Sequence, residues 1–280
     1  MFSALIFPHN LLTKWIPKIL KNPHSPSVLV GDAARKLSRK EYSDLVSLLR
    51  FGNVCKTTDD HRHSLTDEYI CSNLLEYTSS ILDVGASEGI TSLNLIEKTP
   101  SSIDRYYVTD YNLYADFVKV DGWSYFFDVN SDNCVLVFNN MISIRPSRSK
   151  FLTSLFEEKI KAAREKQAEF ERIMLINPSL LKQQENNTNI EIRQYNILDK
   201  WDGEKVQFVK VANVLNRVYF SDDQIREALD NVKQALVPNG VLCIIHNFGK
   251  EFASFYKLKD NKFILSHEIN GGVLIKDLVE

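Results

Sequence analysis

One stretch, ILDVGASEGITSLNL at positions 81–95, restricts the fold more than any other part of the chain. A strand-like run leads into Gly85, small residues occupy most of the next four positions, and a helical pattern begins after Gly89. Where a parallel strand ends and its helix begins, backbone N–H groups and the positive end of the helix dipole are exposed. Glycine lets the main chain approach a ligand closely. The stretch therefore predicts a ligand-binding turn.

The spacing within this turn narrows the choice of ligand. The dinucleotide fingerprint G-x-G-x-x-G needs its second glycine where this chain has Ser87, and the Gly-Lys-Ser/Thr that ends a P-loop is absent. A cofactor without phosphates, with a cationic sulfonium beside an amino-acid group, would instead suit a backbone platform and the nearby carboxylate of Asp83. These features favour S-adenosylmethionine.

Short apolar runs alternate with helical patterns from residue 80 onward, as in repeated βα units on a largely parallel sheet. The predicted strands are 81–84, 106–109, 190–195, 207–212 and 241–246, and the predicted helices follow Gly89 or span 151–177 and 222–236. We therefore predict an α/β fold with a Rossmann-like, mostly parallel sheet.

Two hairpins interrupt or follow this alternation. Residues 117–145 predict an inserted β-hairpin, in which WSYFFDV and CVLVFNNMISIR flank a polar turn. Its aromatic residues either line an apolar substrate pocket or pack on a sheet. The C-terminus predicts an antiparallel hairpin around Asp260 and Asn261.

The N-terminal part of the chain has helical patterns only. Two short helices fit 31–50, where Ser38 and Glu41 match a capping box, and another fits 66–77. We therefore predict a helical N-terminal cover, residues 1–78, and a Rossmann-like domain, residues 79–280.

Composition excludes several classes of protein. The 280 residues are 44% hydrophobic and 25% charged with a net charge of -2, which is typical of a globular protein and indicates no nucleic-acid partner. The four cysteines are dispersed, so neither a disulfide framework nor a zinc site is predicted, and a cytoplasmic location is expected. The opening residues lack the basic region of a signal peptide.

Residues 11–20, LLTKWIPKIL, form an amphipathic segment with two lysines off its apolar face. Packing on its own domain is the favoured interpretation. Peripheral contact with a membrane surface is the alternative.

The order of motifs resembles that of the class I S-adenosylmethionine-dependent methyltransferases, through LDVGASEG, YYVTDYN, RQYNILD and VKVANVLNRVYFSD within residues 80–247. The resemblance implies a Rossmann-like methyltransferase domain. It assigns the amino-acid end of the cofactor to the first motif and the ribose hydroxyls to an acidic residue that ends the second strand. The implied contacts, including the residues beside each motif, are Asp83, Gly85, Ala86, Ser87, Gly89, Asp110, Tyr111, Asn112, Asn196, Ile197 and Asn213.

Two of these assignments have alternatives. A carboxylate such as Asp110 can accept both hydrogen bonds of a vicinal diol, but it can also cap the turn at Tyr111 and Asn112. The resemblance places Asn196 at the adenine amine and the backbone of Ile197 at a ring nitrogen, with Asp199 as a rival to Asn196.

The fourth motif, VANVLNRVYFSDDQIREAL, also resembles the chemotaxis-receptor glutamate methyltransferases, with two extra residues between Asn-Val-Leu and the aromatic pair. The candidate catalytic residues follow the predicted strand 207–212 or end the predicted strand 241–246. They are Asn213, Arg217, Tyr219 and His246. Arg217 either clamps an acidic substrate or pairs with Asp222 or Asp223. Tyr219 packs in the core in the alternative interpretation.

The histidines have a functional and a structural interpretation. His246 is the best-placed general base, although a histidine at a strand end is more often structural. The run DDHRH at 59–63 suggests a metal cluster, but no third ligand is identifiable and the surroundings are typical of a loop. No metal is predicted.

Three functions are compatible with these patterns. The first is methyl transfer to an unidentified small-molecule acceptor by in-line displacement. The second is a protein carboxyl or side-chain methyltransferase, as the fourth motif suggests. The third is a non-catalytic S-adenosylmethionine-binding regulatory or scaffold protein. The sequence indicates no oligomeric state.

Overall fold

A computed structural model describes residues 5–8, 21–22, 25–52, 54–56, 58–99, 103–130, 132–139, 142–146 and 150–279. The chain forms two compact units. One consists of Met1–Thr58 and Asn112–Pro178, and the other of Asp59–Tyr111 and Ser179–Glu280. The amphipathic segment at 11–20 lies outside the described residues.

The strands are β1 (Leu5–Pro8), β2 (Lys21–Asn22), β3 (Arg50–Phe51), β4 (Val54–Cys55), β5 (Ser80–Val84), β6 (Arg105–Asp110), β7 (Tyr114–Val120), β8 (Trp123–Phe127), β9 (Cys134–Phe138), β10 (Ser143–Ile144), β11 (Glu171–Met174), β12 (Ile190–Gln194), β13 (Val206–Ala212), β14 (Leu236–Asn247), β15 (Glu251–Lys259) and β16 (Lys262–Ile269). The α-helices are α1 (Arg39–Val46), α2 (Ser64–Asn73), α3 (Ile90–Ile96), α4 (Lys150–Arg164), α5 (Pro178–Asn186), α6 (Asp222–Ala235) and α7 (Lys276–Val279). Short 3-10 helices cover Pro26–Leu29, Asp32–Lys36, Leu75–Tyr77 and Gln167–Glu169.

The second unit contains a seven-stranded sheet, as far as the described residues show, in the order β12-β6-β5-β13-β14-β15-β16. The first five strands are parallel, and β15 and β16 add an antiparallel pair. The chain order of the five parallel strands is the 3-2-1-4-5 order of a doubly wound fold. The predicted α/β class, with a mostly parallel sheet and a C-terminal hairpin, is confirmed.

The helices of this unit cover a continuous apolar sheet. The predicted helix α6 begins with a capping box between Ser221 and Gln224, and it buries Ile225, Leu229 and Val232 in the main core. Strand β13 is buried almost throughout, as expected of a parallel strand with both faces covered. The C-terminal hairpin turns at Asp260 and Asn261, which both have positive φ (48° and 60°) and so support a tight turn.

The first unit contains a sheet in the order β11-β7-β8-β9-β10-β1-β2, whose pairs are antiparallel except that of β1 with β2. The predicted hairpin is confirmed as β8 and β9. Its aromatic side chains Tyr125, Phe126 and Phe127 are buried, and Trp123 packs edge-on against Phe156 of α4. These contacts agree with packing on a sheet, the alternative to a substrate pocket.

Helix α1 is the clearest element of the N-terminal part. Ser38 accepts the backbone N–H of Glu41, and the Glu41 carboxylate accepts the backbone N–H of Ser38, so the predicted capping box is confirmed. Tyr42, Leu45 and Val46 are buried in the core of the first unit.

One predicted helix was too long. The helix expected over 151–177 ends at Arg164, and Glu171–Met174 form strand β11. This strand pairs antiparallel with β7, and Arg172 on β11 donates two hydrogen bonds to the Asp116 carboxylate on β7. Pairing with a strand more than fifty positions earlier overrides the local helical pattern.

The two units also divide the chain differently from the predicted boundaries of 1–78 and 79–280. Residues 59–78, which include α2, belong to the unit with the parallel sheet, whereas 112–178 belong to the other unit. Strands occur before residue 59 as well as helices. No helix among the described residues has the length and apolar character needed to cross a membrane.

Candidate functional site

The parallel sheet has its topological switch point between β5 and β13. The chain continues from β5 to β6 and β12 on one side, then returns to β13 on the other side. Ligands of open α/β sheets bind in the crevice at the carboxyl ends of the two strands that flank such a point. The turn 85–89 follows β5 directly, and Asn213 follows β13.

The turn has the backbone conformation that its small residues suggest. Gly85, Ser87 and Gly89 all have positive φ (75°, 61° and 87°), and Gly89 precedes helix α3. Such angles favour residues without a bulky Cβ substituent. Gly85 and Ser87 are half-buried, whereas Ala86 and Gly89 are buried. The turn is therefore accessible from solvent at Gly85 and Ser87.

The backbone N–H groups of the turn are not unpaired, contrary to the sequence-based expectation. The N–H groups of Gly85 and Ala86 both donate to the carbonyl of Thr109 at 2.9 Å, and that of Gly89 donates to Ala86 at 2.9 Å. The N–H of Ser87 donates to Asp110 Oδ2 at 2.8 Å. The turn is thus fixed by the neighbouring strand β6 before any ligand binds.

The glycine at position 85 has a packing reason as well. A Cβ atom there would lie 2.0 Å from Cγ2 of Val214, so the space that glycine leaves is filled by a protein side chain. The loop after β13 therefore crosses the turn closely at this glycine.

Asp110 lies next to the turn. It ends β6, beside β5, and its carboxylate reaches the turn through Ser87. Tyr111 follows it and is exposed, and Asn112 begins the second segment of the other unit. The structure thus brings Asp110 and the turn together at the carboxyl edge of the sheet.

The residues after β12 form a turn of their own. The side-chain oxygen of Asn196 accepts the backbone N–H of Leu198 at 3.2 Å, and its carbonyl accepts that of Asp199 at 2.9 Å. Ile197 is buried in the main core, and Asn231 donates to its carbonyl at 3.2 Å. Asn196 lies at the same sheet edge as Asp110, because β12 and β6 are parallel neighbours.

Asp83 has a different environment from the predicted one. Its side chain is 1% exposed, and Oδ2 accepts hydrogen bonds from Ser92 at 2.8 Å, Tyr106 at 3.1 Å and Lys210 at 3.2 Å. Burial, followed by the Asp83 charge, raises the pKa of Tyr106, so the phenol stays protonated and donates. These partners occupy Asp83 inside the sheet, below the turn, rather than leaving it as a contact for a cationic ligand.

Lys210 is a residue that the sequence analysis missed. Its side chain is fully buried and lies in register with Asp83 on the adjacent strand. Burial lowers the pKa of Lys210, but the charges of Asp83 and Asp67 outweigh that effect, so its pKa is raised and it stays protonated. A lysine within the apolar run VQFVKVA was the signal, because lysine is almost never fully buried without a partner.

Helix α2 contributes Asp67 to the same interior. Burial raises the pKa of Asp67 to about 6, against the attraction of Lys210 and Lys98. Within the described part of the chain, Asp67 Oδ1 has no hydrogen-bond partner.

Asn213 joins two strand ends instead of standing free. Its side-chain oxygen accepts the backbone N–H of Asn247 at 2.8 Å, and its amide donates to the side-chain oxygen of Asn247 at 2.9 Å. The same oxygen of Asn247 lies 2.9 Å from Nε2 of His63, an arrangement in which Nε2 carries the proton. Sequence reasoning missed His63 and Asn247 as members of this edge.

His63 is neutral at physiological pH. Burial, followed by the charges of Lys210 and Arg62, lowers the pKa of His63 to about 3, against a hydrogen bond to Asn247 that raises it. Nδ1 of His63 has no partner among the residues that the structure describes. His61 lies on an exposed turn, so the two histidines of DDHRH do not share a site. The described residues contain no group of three or more metal-ligating side chains.

The remaining catalytic candidates have partners within the protein. Arg217 binds the carboxylates of Asp222 and Asp277 at 2.8 and 2.6 Å and the carbonyl of Leu274 at 3.3 Å, which agrees with the ion-pair interpretation. His246 is buried, and its Nε2 donates to the carbonyl of Leu215 at 2.7 Å.

Burial lowers the pKa of His246, against that hydrogen bond. Its imidazole is therefore neutral and directed at the loop after β13. Tyr219 is partly exposed at 37%, so it does not pack in the core, and its backbone N–H binds the Asn216 carbonyl.

Comparison with protein-family models and with curated proteins gave no match. Among solved structures, the chain is similar to the N-methyltransferase NodS from Bradyrhizobium japonicum WM9 in complex with S-adenosyl-L-homocysteine, with 14% identity, a TM-score of 0.36, and coverage of 73% of this chain and 72% of that one. It is also similar to an O-methyltransferase family protein from Burkholderia thailandensis, with 12% identity, a TM-score of 0.36, and coverage of 74% of this chain and 40% of that one.

A third similar structure is CalS10, an amino pentose methyltransferase from Micromonospora echinaspora with bound S-adenosylmethionine. Its identity is 9% and its TM-score 0.33, over 81% of this chain and 66% of that one. The chain thus spans less than half of the Burkholderia protein and about two thirds of CalS10.

Proposed function

We propose that this chain binds S-adenosylmethionine at the carboxyl edge of its parallel sheet and transfers the methyl group to a small-molecule acceptor. The observation that carries the proposal is the contact between Asp110 and the turn: a carboxylate at the end of β6 is held 2.8 Å from the N–H of Ser87, beside the switch point. The motif order of the class I methyltransferases supports the choice of cofactor.

Asp110 would accept hydrogen bonds from the two ribose hydroxyls, because a carboxylate has two oxygens that can accept both hydrogen bonds of a vicinal diol. Asn196 and the backbone of Ile197 would face the adenine from the neighbouring strand end. The amino-acid end would lie against the half-buried Gly85 and Ser87. We propose that Asp83 supports the turn and does not contact the cofactor, because its carboxylate is buried below the turn.

S-adenosylmethionine supplies an electrophilic methyl group on a cationic sulfur. The protein's own task is to align the acceptor opposite the sulfur and to exclude water, because in-line displacement depends on geometry. His246 is neutral, and its Nε2–H is committed to Leu215. The proposed reaction therefore uses an acceptor that needs no strong general base.

We propose that Arg217 does not bind a carboxylate of the acceptor. All three of its nitrogens already donate to Asp222, Asp277 or Leu274. Binding a ligand carboxylate would require Arg217 to give up at least one of these hydrogen bonds.

A second candidate function is binding without catalysis. It is favoured by one observation: the side chains of Asn213, Arg217 and His246 are all engaged in contacts within the protein. Transfer of a labelled methyl group from S-adenosylmethionine to the small-molecule or protein fraction of a cell lysate separates the candidates. Label in the small-molecule fraction supports the proposal, label in protein favours a protein methyltransferase, and no label despite tight binding favours the non-catalytic function.

The binding proposal is tested by calorimetry with S-adenosylhomocysteine. The substitution Asp110→Asn keeps an acceptor for Ser87 but removes the charge that would hold the ribose, so we expect affinity to fall about tenfold or more. Asp104→Asn, at an exposed position immediately before β6, is the matched control and should bind like the wild type. Equal affinity of Asp110→Asn and the wild type would contradict the assigned site.

A further inference from the structure

We propose that Lys210 is a positioning residue for the turn 85–89, acting through Asp83. The expected effect on cofactor affinity rests on the proposed function. The expected effect on the conformation of the turn does not, because it concerns the protein without a ligand. Lys210 is 0% exposed, and its Nζ lies 3.2 Å from Asp83 Oδ2. The two residues are paired in register on the adjacent parallel strands β13 and β5, the strands that flank the switch point.

A single oxygen atom of Asp83 connects four elements of the unit. Oδ2 accepts from Lys210 on β13, from Tyr106 on β6 and from Ser92 on α3, while Asp83 itself lies on β5. Ser92 lies in the first turn of the helix that follows Gly89. The carboxylate thus ties the strand that enters the ligand-binding turn to the helix that leaves it.

A second connection runs from Asp83 through the backbone. Its carbonyl accepts the hydroxyl of Thr109 at 2.9 Å, and the carbonyl of Thr109 accepts the N–H groups of Gly85 and Ala86 at 2.9 Å each. Asp83 therefore contacts the residue that holds the first two amides of the turn. A shift of Asp83 would move the turn and, through Ser87, the contact with Asp110.

Stability alone does not account for this ion pair. Replacing a buried ion pair by neutral groups of similar volume is often neutral or stabilising, because removing two charges from water costs much of what their attraction gains. Two further carboxylates, Asp67 and Glu251, are buried in the same unit. A charged pair at this position therefore points to a geometric role, the fixed placement of one carboxylate oxygen below the turn.

The test uses a pair of variants in the full chain. Lys210→Met alone leaves Asp83 buried without its cation and should lower the melting temperature. Lys210→Met combined with Asp83→Asn removes both charges of the pair and keeps an oxygen for Ser92 and Tyr106, so the melting temperature should rise from that of the single variant toward the wild-type value, less the attraction between Lys210 and Asp67. The matched control makes the same two substitutions, Lys233→Met and Asp230→Asn, in an ion pair on the surface of α6.

The readout is amide hydrogen exchange at residues 85–87, together with S-adenosylhomocysteine affinity. We expect the double variant at positions 83 and 210 to exchange these amides faster by about tenfold, and to bind S-adenosylhomocysteine about tenfold more weakly, even though its melting temperature lies closer to the wild-type value than that of the single variant. The surface control should match the wild type in both measurements.

If the amides of residues 85–87 exchange in the double variant at the wild-type rate, the positioning role is overturned, whatever the affinity for S-adenosylhomocysteine. Absence of S-adenosylhomocysteine binding to the wild-type chain would instead overturn the proposed function. The exchange measurement would still decide the role of Lys210 in that case, so the two failures are distinguishable.

Discussion

At the scale of single residues, His63 shows how burial decides the state of a side chain that looks functional in the sequence. His61 and His63 suggest a metal pair by their alternation, but one lies on an exposed turn and the other is buried against Asn247. Desolvation disfavours the imidazolium, which explains why the pKa of His63 falls to about 3. His63 is therefore a neutral hydrogen-bonding group at the sheet edge.

This state predicts a contribution to acid sensitivity. Because the pKa of His63 is lower in the folded chain than in the unfolded chain, stability is fully present above about pH 6.5 and falls as the pH decreases toward about 3. Urea unfolding at pH 7.5 and at pH 4.5 measures how much unfolding free energy each protein loses on acidification. We expect His63→Asn to lose about 2–3 kcal/mol less than the wild type.

The exposed neighbour provides the control for this measurement. His61→Asn should lose as much stability between the two pH values as the wild type does, since its side chain is 64% exposed. Identical losses in His63→Asn and the wild type would show that burial of this imidazole does not contribute to acid sensitivity.

At the scale of secondary structure, the starts of α1, α6 and α2 are stabilised in two different ways. Helices α1 and α6 carry capping boxes from their own sequence, Ser38 with Glu41 and Ser221 with Gln224. Helix α2 has no side-chain cap at its N-cap residue. Instead, the carboxylate of Glu251 on β15 accepts the backbone N–H groups of Leu65 at 3.1 Å and Thr66 at 2.8 Å and also the Thr66 hydroxyl.

The tertiary cap predicts a measurable loss. Glu251→Gln removes the negative charge at the positive end of α2 and one acceptor oxygen, so we expect the unfolding free energy to fall by about 1–2 kcal/mol. Urea unfolding gives the total, and hydrogen exchange should show faster opening of residues 64–73. Glu227→Gln on the exposed face of α6 should change neither quantity. A stability equal to the wild type would mean that water replaces the cap at no cost.

At the scale of the whole molecule, the chain is arranged as two discontinuous units. The segment 112–178 leaves the parallel sheet after β6 and returns before β12. Its two ends meet, because Tyr114 pairs with Met174 and the N–H of Leu175 donates to Leu113 at 2.8 Å. Segments with adjacent ends are the ones that chains tolerate as insertions.

This arrangement predicts how truncated chains behave. Residues 59–111 joined by a short Gly-Ser linker to 179–280 should unfold cooperatively in urea, because they keep the sheet and helix α2. The same chain without 59–78 should lose cooperative unfolding, since Glu251 and Asn247 lose the partners that Thr66 and His63 provide. Near-ultraviolet circular dichroism and urea titration compare the two. Equal urea midpoints for the two truncated chains would instead support a domain boundary at residue 79.

Much of the parallel sheet could be predicted from the sequence. The runs at 81–84, 106–109, 190–195, 207–212 and 241–246 correspond to β5, β6, β12, β13 and β14. Most positions in four of these runs are apolar, which is a local signal typical of strands covered on both faces, whereas 190–195 mixes apolar and polar residues and forms the edge strand β12. The missed strand β11 is short and amphipathic, and only its pairing with β7 defines it.

The candidate site was predictable in position and less so in its contacts. The sequence places Asp110 and the turn 85–89 at one sheet edge, because both follow parallel strands. It does not show that Val214 fills the space at Gly85 or that Asp83 is buried.

Neighbouring residues are sufficient to specify most strands of the parallel sheet, the small-residue turn and the capping box of α1. The pairing of buried groups depends instead on how distant parts of the chain pack together. Lys210 pairs with Asp83 across 127 positions, and Glu251 caps Thr66 across 185. The physical reason is that local conformation depends on sterics and hydrogen bonds within a few residues, whereas the partner of a buried charge depends on the order of strands in the sheet.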